Sequence, residues 1–144
     1  MYRVIIADDE PIALEHISSI IEIKCPQYEV AGTAENGKEA LEKVAQYHPD
    51  LLITDIKMPL MSGIELASEI HEKYPDTYTL IVSGYSDFEY ARSALQSGVC
   101  DYILKPVIPS AMAKSLEEIA RKISRNQYEK KEQDHTGTVQ GQRV

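Results

Sequence analysis

The sequence predicts an α/β fold, a (βα)5 chain wound on both faces of a five-stranded parallel sheet. Three observations carry this. Five short apolar runs recur along the chain, and most are continuous rather than alternating, the pattern of strands buried on both faces. Segments with helical period lie between them, and strict alternation of strand and helix implies a parallel sheet with right-handed crossovers. Helix start and stop signals stand at the boundaries.

Taken in order, the first run is Val4-Ile5-Ile6-Ala7, followed by a helix marked by Leu14, Ile17 and Ile21 with Pro11 in its first turn. The second is Val30-Ala31-Gly32-Thr33, followed by a helix that Asn36 caps and that Ala40, Leu41, Val44 and Ala45 mark. Leu51-Leu52-Ile53-Thr54 precedes a Ser62-x-x-Glu65 capping box and a helix through Leu66, Ala67 and Ile70, with Pro75 as its stop. Leu80-Ile81-Val82-Ser83 precedes a second box, Ser86-x-x-Glu89, and a helix through Ala91, Ala94 and Leu95 that ends near Gly98. Tyr102-Ile103-Leu104 precedes the fifth helix, marked by Met112, Leu116, Ile119, Ala120 and Ile123. Residues 1–125 thus form one domain. Residues 126–144 lack an apolar period and read as a flexible tail or truncated linker.

Composition narrows the function. The chain has 144 residues, 43% hydrophobic and 26% charged, ordinary for a globular domain. No apolar run approaches the ~18 residues of a membrane span, and two acids arrive too early for a signal peptide. Cys25 and Cys100 lack metal or redox spacing and read as reduced thiols that pack as small apolar residues in a cytoplasmic protein. The net charge is −8, and all of that excess acid lies within residues 1–124. Such a body does not bind nucleic acid by neutralising phosphates, but it suits a cation or a basic partner.

In a parallel sheet of this kind, ligands sit outside the carboxyl ends of the strands. There the reading places Asp8, Asp9 and Glu10 after the first strand, Asp55 after the third, Ser83 at the end of the fourth and Lys105, then Pro106, after the fifth. Converging carboxylates repel, and a hard divalent cation such as Mg²⁺, which takes oxygen ligands, resolves the repulsion. The lysine and the serine hydroxyl add an anion site beside the metal site, suited to a phosphoryl group. A carboxylate at Asp55 is placed to act as a nucleophile and become an aspartyl phosphate.

Asp8-Asp9, Asp55, Ser83 and Lys105-Pro106, in this order and spacing, resemble the receiver domain of two-component response regulators, with its flavodoxin-like fold. Residues 54–63 (Thr-Asp-Ile-Lys-Met-Pro-Leu-Met-Ser-Gly), 83–91 (Ser-Gly-Tyr-Ser-Asp-Phe-Glu-Tyr-Ala) and 98–106 (Gly-Val-Cys-Asp-Tyr-Ile-Leu-Lys-Pro) support the resemblance, which covers about residues 2–124. The Asp-Asp-Glu-Pro opening and the 83–90 run are similar to regulators whose receiver precedes an AraC-type helix-turn-helix output.

The resemblance implies a role for each residue. Asp55 accepts a phosphoryl group from a sensor histidine kinase. Asp9 and Asp55 coordinate Mg²⁺ directly, Asp8 acts through water, and the Lys57 backbone carbonyl completes the protein ligands. Ser83 and Lys105 bind the phosphoryl group, Tyr102 turns inward as the aromatic switch, and the Lys105–Pro106 bond is cis. The face of the fourth helix, fifth strand and fifth helix then changes its partners, with a homodimer among them. The domain is a regulatory phosphoacceptor rather than an enzyme, at most catalysing its own phosphotransfer and dephosphorylation. DNA binding belongs to an output domain after this segment; a stand-alone phosphorelay receiver and an unphosphorylated docking receiver are the alternatives. Ser83 is serine where many receivers carry threonine, which leaves its rotamer less stiff.

Taken one at a time, these residues have plainer readings. The 8–10 acids suit a helix N-terminus, Asp55 a loop cap, Lys105 a solvated side chain and Tyr102 packing. Tyr85, Phe88 and Tyr90 read as packing or as a partner surface. His16, His48, His71 and His135 are dispersed and read as surface residues, not a zinc site. An aspartate-nucleophile phosphatase needs a second acid two residues after the nucleophile, where this chain has Lys57. A flavin module needs a phosphate-cradling loop after the first strand, where this chain has Asp-Asp-Glu-Pro.

Overall fold

The computed structural model describes residues 1–84, 92, 96 and 98–143, with side chains through residue 132. Five parallel strands, β1 (Tyr2–Ala7), β2 (Tyr28–Ala34), β3 (Leu51–Thr54), β4 (Tyr78–Ser83) and β5 (Asp101–Leu104), form one sheet in the order β2-β1-β3-β4-β5. The described helices are α1 (Pro11–Lys24), α2 (Gly37–Tyr47), α3 (Gly63–Lys73) and a C-terminal helix (Pro109–Arg143). The expected fourth helix through Ala91, Ala94 and Leu95, its Ser86-Glu89 cap and the aromatic group Tyr85, Phe88 and Tyr90 lie outside the described residues.

Strand side chains alternate between two cores. Val4, Ile6, Leu51, Ile53, Leu80 and Val82 face α1 and the C-terminal helix, packing on Leu14, Ile17, Ile21, Met112, Leu116 and Ile119. Ile5, Ala7 and Leu52 face α2 and α3, packing on Ala40, Val44, Leu66 and Ile70. This two-sided burial is why β1, β3 and β4 read as unbroken apolar runs. The expectation of burial on both faces fails for β2 and β5. They are the sheet edges, and Val30, Ala31, Tyr102 and Ile103 are only half-buried.

The caps follow local chemistry. Pro11 opens α1. Asn36 Oδ1 accepts from the Glu39 amide at 2.7 Å, and Ser62 Oγ accepts from the Glu65 amide at 3.2 Å. The Ser62 box is half-formed, because the Glu65 carboxylate takes the Ser62 hydroxyl at 3.3 Å rather than reaching back to a backbone amide.

The last helix continues to Arg143, through the residues from 126 onward that the sequence reading gives as a flexible tail or truncated linker. The apolar period stops where the helix leaves the body, but period reports burial, not helicity. The run from Arg125 to Gln133 holds mostly good helix formers and no glycine or proline. Gln127 Nε2 donates to Asp50 Oδ1 at 3.4 Å, and Lys130 pairs with Asp76. Tyrosines fasten the earlier part of the helix to the sheet: the buried Tyr28 hydroxyl donates to the Leu116 carbonyl at 2.8 Å, and Tyr2 bonds Ser124.

Candidate functional site

The sheet ladder itself delivers the site residues. The Asp8 amide donates to the Ala34 carbonyl at 3.0 Å, the Asp55 amide to Ala7 at 3.0 Å, and the Lys105 amide to Ser83 at 2.9 Å. Each of these residues stands just past its strand and is tied to the end of a neighbouring one. Because every pairing is parallel, Asp8, Asp9, Asp55, Ser83 and Lys105 fall at one edge, and the order β2-β1-β3-β4-β5 sets the ends of β1 and β3 side by side.

The acids converge as the sequence predicts. One carboxylate oxygen from each of Asp8, Asp9 and Asp55 lies within 4.8 Å of the others. Asp8 is 1% exposed and Asp55 9%, while Asp9 is open to solvent. Asp8 Oδ1 accepts from the Glu10 amide at 3.0 Å, and Asp55 Oδ1 accepts from the Ile56 amide at 2.8 Å. Each bond aims a side chain while leaving its second oxygen for the centre of the site. The Thr54 hydroxyl donates to the Asp55 carbonyl at 2.9 Å and steadies the backbone there.

Lys105 bridges two of these acids, with Nζ 2.9 Å from Asp8 Oδ2 and 3.3 Å from Asp55 Oδ2. Burial works against its charged form. The Asp8 hydrogen bond and the charges of Asp55 and Asp8 outweigh that and hold the ammonium above the usual lysine range. The Lys105–Pro106 bond is cis, as expected.

The remaining residues border this centre. Ser83 ends β4 and is 2% exposed. Lys57 and Asp9 line an open cleft of about 430 Å³ with Ile56, Met58, Pro59 and Ser62. Tyr102 is half-buried against the Ile56, Ala67, Ile81 and Val99 cluster, and its hydroxyl donates to the Gly84 carbonyl at 3.4 Å. Of the histidines, His16, His48 and His71 are exposed as expected; His135 lies beyond the described side chains. Cys25 is buried, Cys100 is half-buried, and both are free thiols. Burial pushes both thiols up, Cys100 to about 11.

Two features escaped sequence reasoning. The Lys105–Asp8 pair was not foreseen, because no local pattern reports a contact across 97 positions. The Thr54 hydroxyl gave no signal at all, since threonine is at home in any strand.

A family model described as the response regulator receiver domain matches residues 4–117. The chain is 39% identical over 135 residues to the uncharacterized transcriptional regulatory protein YesN of Bacillus subtilis, a match spanning 94% of this chain and 37% of that protein. It is 37% identical over 127 residues to the transcriptional regulatory protein HptR of Staphylococcus aureus, spanning 88% of this chain and 50% of that protein. It therefore spans half or less of the length of these relatives. Among solved structures, the REC domain of AraT, a response regulator from Geobacillus stearothermophilus, overlays with a TM-score of 0.82 at 36% identity, covering 88% of this chain and 98% of that one. Among the described residues, no helix is long and apolar enough to cross a membrane.

Proposed function

For a chain that belongs to the response regulator receiver domain family, we propose that Asp55 is the phosphoacceptor of a switch driven by a sensor histidine kinase. The observation that carries this reading is the convergence of the Asp8, Asp9 and Asp55 oxygens within 4.8 Å, with the Lys105 ammonium against Asp8 and Asp55. An Asp55 oxygen attacks the phosphorus of a phosphohistidine. The P–O bond forms, the P–N bond breaks, and the imidazole leaves and takes up a proton.

The donor set is all oxygen, which fits Mg²⁺. Asp9, Asp55 and the Lys57 carbonyl would hold the ion directly, with Asp8 acting through water. Bound there, Mg²⁺ would neutralise charge on the transferred phosphoryl oxygens. Lys105 supplies the second positive group and Ser83 a hydroxyl donor. As Ser83 and Lys105 turn to the new oxygens, Tyr102 repacks inward, and the face around β5 and the C-terminal helix changes its partners, a second copy of the chain among them.

In the whole protein this switch controls a DNA-binding output in the cytoplasm. Two relatives of this chain are named as transcriptional regulatory proteins, which supports that reading. The domain acts as a regulatory phosphoacceptor, at most catalysing its own phosphotransfer and dephosphorylation.

Intact mass after incubation with acetyl phosphate and Mg²⁺ tests the proposal. One phosphoryl increment on the wild type, absent from Asp55→Asn and from a chelator-treated sample, is the expected result. No increment in any sample moves the function to docking without phosphorylation.

A further inference from the structure

The segment joining β3 to α3 is folded unusually tightly. The Gly63 amide closes its base by donating to the Ile56 carbonyl at 2.7 Å. At its tip the Met61 amide donates to the Pro59 carbonyl at 2.8 Å across Leu60, whose φ is 71°. A three-residue turn centred on a left-handed leucine is rare and strained, and it persists only where its surroundings hold it.

Two buried glycines supply those surroundings. Gly63, the first residue of α3, lies against the Asp55 carbonyl. A Cβ there would overlap that oxygen and fall 2.8 Å from the Asp55 carbonyl carbon. Gly37, the first residue of α2, lies against Met61. A Cβ there would overlap the Met61 carbonyl oxygen and fall 2.6 Å from Met61 Cβ and 2.9 Å from its carbonyl carbon. These are mostly backbone atoms, which cannot rotate aside, so the segment has to move. At Gly32, by contrast, a Cβ would meet only side-chain tips, at 3.4 Å or more.

We propose that Gly37 is a positioning residue for the cation half of the site, acting through Met61 on the segment that carries the backbone of residues 55–57. Its helix contributes no ligand of its own. The inference rests on the reading of Asp9, Asp55 and the Lys57 carbonyl as Mg²⁺ ligands. Mg²⁺ demands near-octahedral geometry at about 2.0–2.1 Å, so a small displacement of that backbone weakens binding while the sheet and cores stay intact. Supports one step removed from a metal typically change affinity by roughly 10- to 100-fold.

The test is titration of the full chain with Mg²⁺, followed through the amide resonances of Asp9 and Ile56, with the rest of the spectrum reporting the fold. Gly37→Ala is expected to keep a folded spectrum and raise the Mg²⁺ Kd by roughly tenfold. Gly32→Ala should stay close to the wild type, and Asp9→Asn should lose the response. A folded Gly37→Ala with wild-type Kd overturns the positioning role while leaving the metal reading intact. A wild type whose Asp9 and Ile56 resonances ignore Mg²⁺ overturns both. If Gly37→Ala does not fold, Met61→Gly removes the Cβ that faces Gly37 without adding volume. A Kd weaker than that of its matched control, Met61→Ala, supports the role, and an equal Kd overturns it.

Discussion

Lys105 Nζ and Asp8 Oδ2 meet at 2.9 Å, with Asp8 1% exposed and the lysine half-buried. The pair joins the ends of β1 and β5, strands that are not neighbours in the sheet. Replacing Lys105 by methionine leaves a buried carboxylate facing Asp55 without its cation. Full burial would put the loss at 3–5 kcal/mol, and partial solvent access reduces it to about 2 kcal/mol. Urea unfolding with and without Mg²⁺ checks this. The variant should lose stability without the ion and recover more on adding it than the wild type does.

Tyr28 tests the attachment of the C-terminal helix. Its hydroxyl donates to the Leu116 carbonyl at 2.8 Å in a buried setting. Tyr28→Phe keeps the ring and removes this second bond to a carbonyl that stays within the helix ladder, at a cost of about 1 kcal/mol. Chemical denaturation should show this loss, with phosphorylation of Asp55 unchanged.

Cys100 makes stability depend on alkaline pH. Burial raises its thiol to about 11 from an ordinary 9.0, and its Sγ donates to the Thr79 carbonyl at 3.1 Å. The fold therefore favours the protonated form. That contribution is complete below pH 9 and is lost as pH rises toward 11, because the unfolded thiol ionises first. At pH 10.5 the wild type should have lost about 2 kcal/mol more, relative to its own value at pH 8, than Cys100→Ala has. Urea midpoints at the two pH values measure it. At pH 8, alkylation of Cys100 should be slow in the folded protein and fast in urea.

The extended helix has its own test. Lys130 and Asp76 are both exposed, so Asp76→Ala should change global stability by no more than about 0.5 kcal/mol. Its effect should be local, with faster amide exchange over residues 127–132 and unchanged exchange in β1 and β3. Uniform exchange along the chain would count against a helix held by this contact.

Removing the Ser83 hydroxyl should separate acceptance from switching. Ser83 ends β4, one strand away from Asp55. Ser83→Ala should still gain a phosphoryl increment on Asp55, with a smaller phosphorylation-dependent change in the Tyr102 resonances. Loss of the increment itself would place Ser83 in the acceptance step.

Much of this protein was legible along the chain because the relevant physics is local or periodic. Val4-Ile5-Ile6-Ala7 and Leu51-Leu52-Ile53-Thr54 announce strands covered on both faces, and Asn36 and Ser62 announce helix starts through bonds that span three residues. The identities at the strand ends, Asp8, Asp9, Asp55, Ser83 and Lys105, were equally readable, because a parallel sheet puts successive strand ends on one edge whatever the strand order.

The rest depends on what is near in space and far in sequence. The half-exposed edges β2 and β5 follow from the order β2-β1-β3-β4-β5, which no single segment encodes. The partner of Lys105 was decided by crossovers that carry it back over Asp8. The helix past residue 125 rests in part on Asp50 and Asp76, residues of other turns. What sets Gly37 apart is the Met61 backbone against it, a contact that no local pattern reports. Patterning records which side of an element is buried; only the assembled chain decides what that side meets.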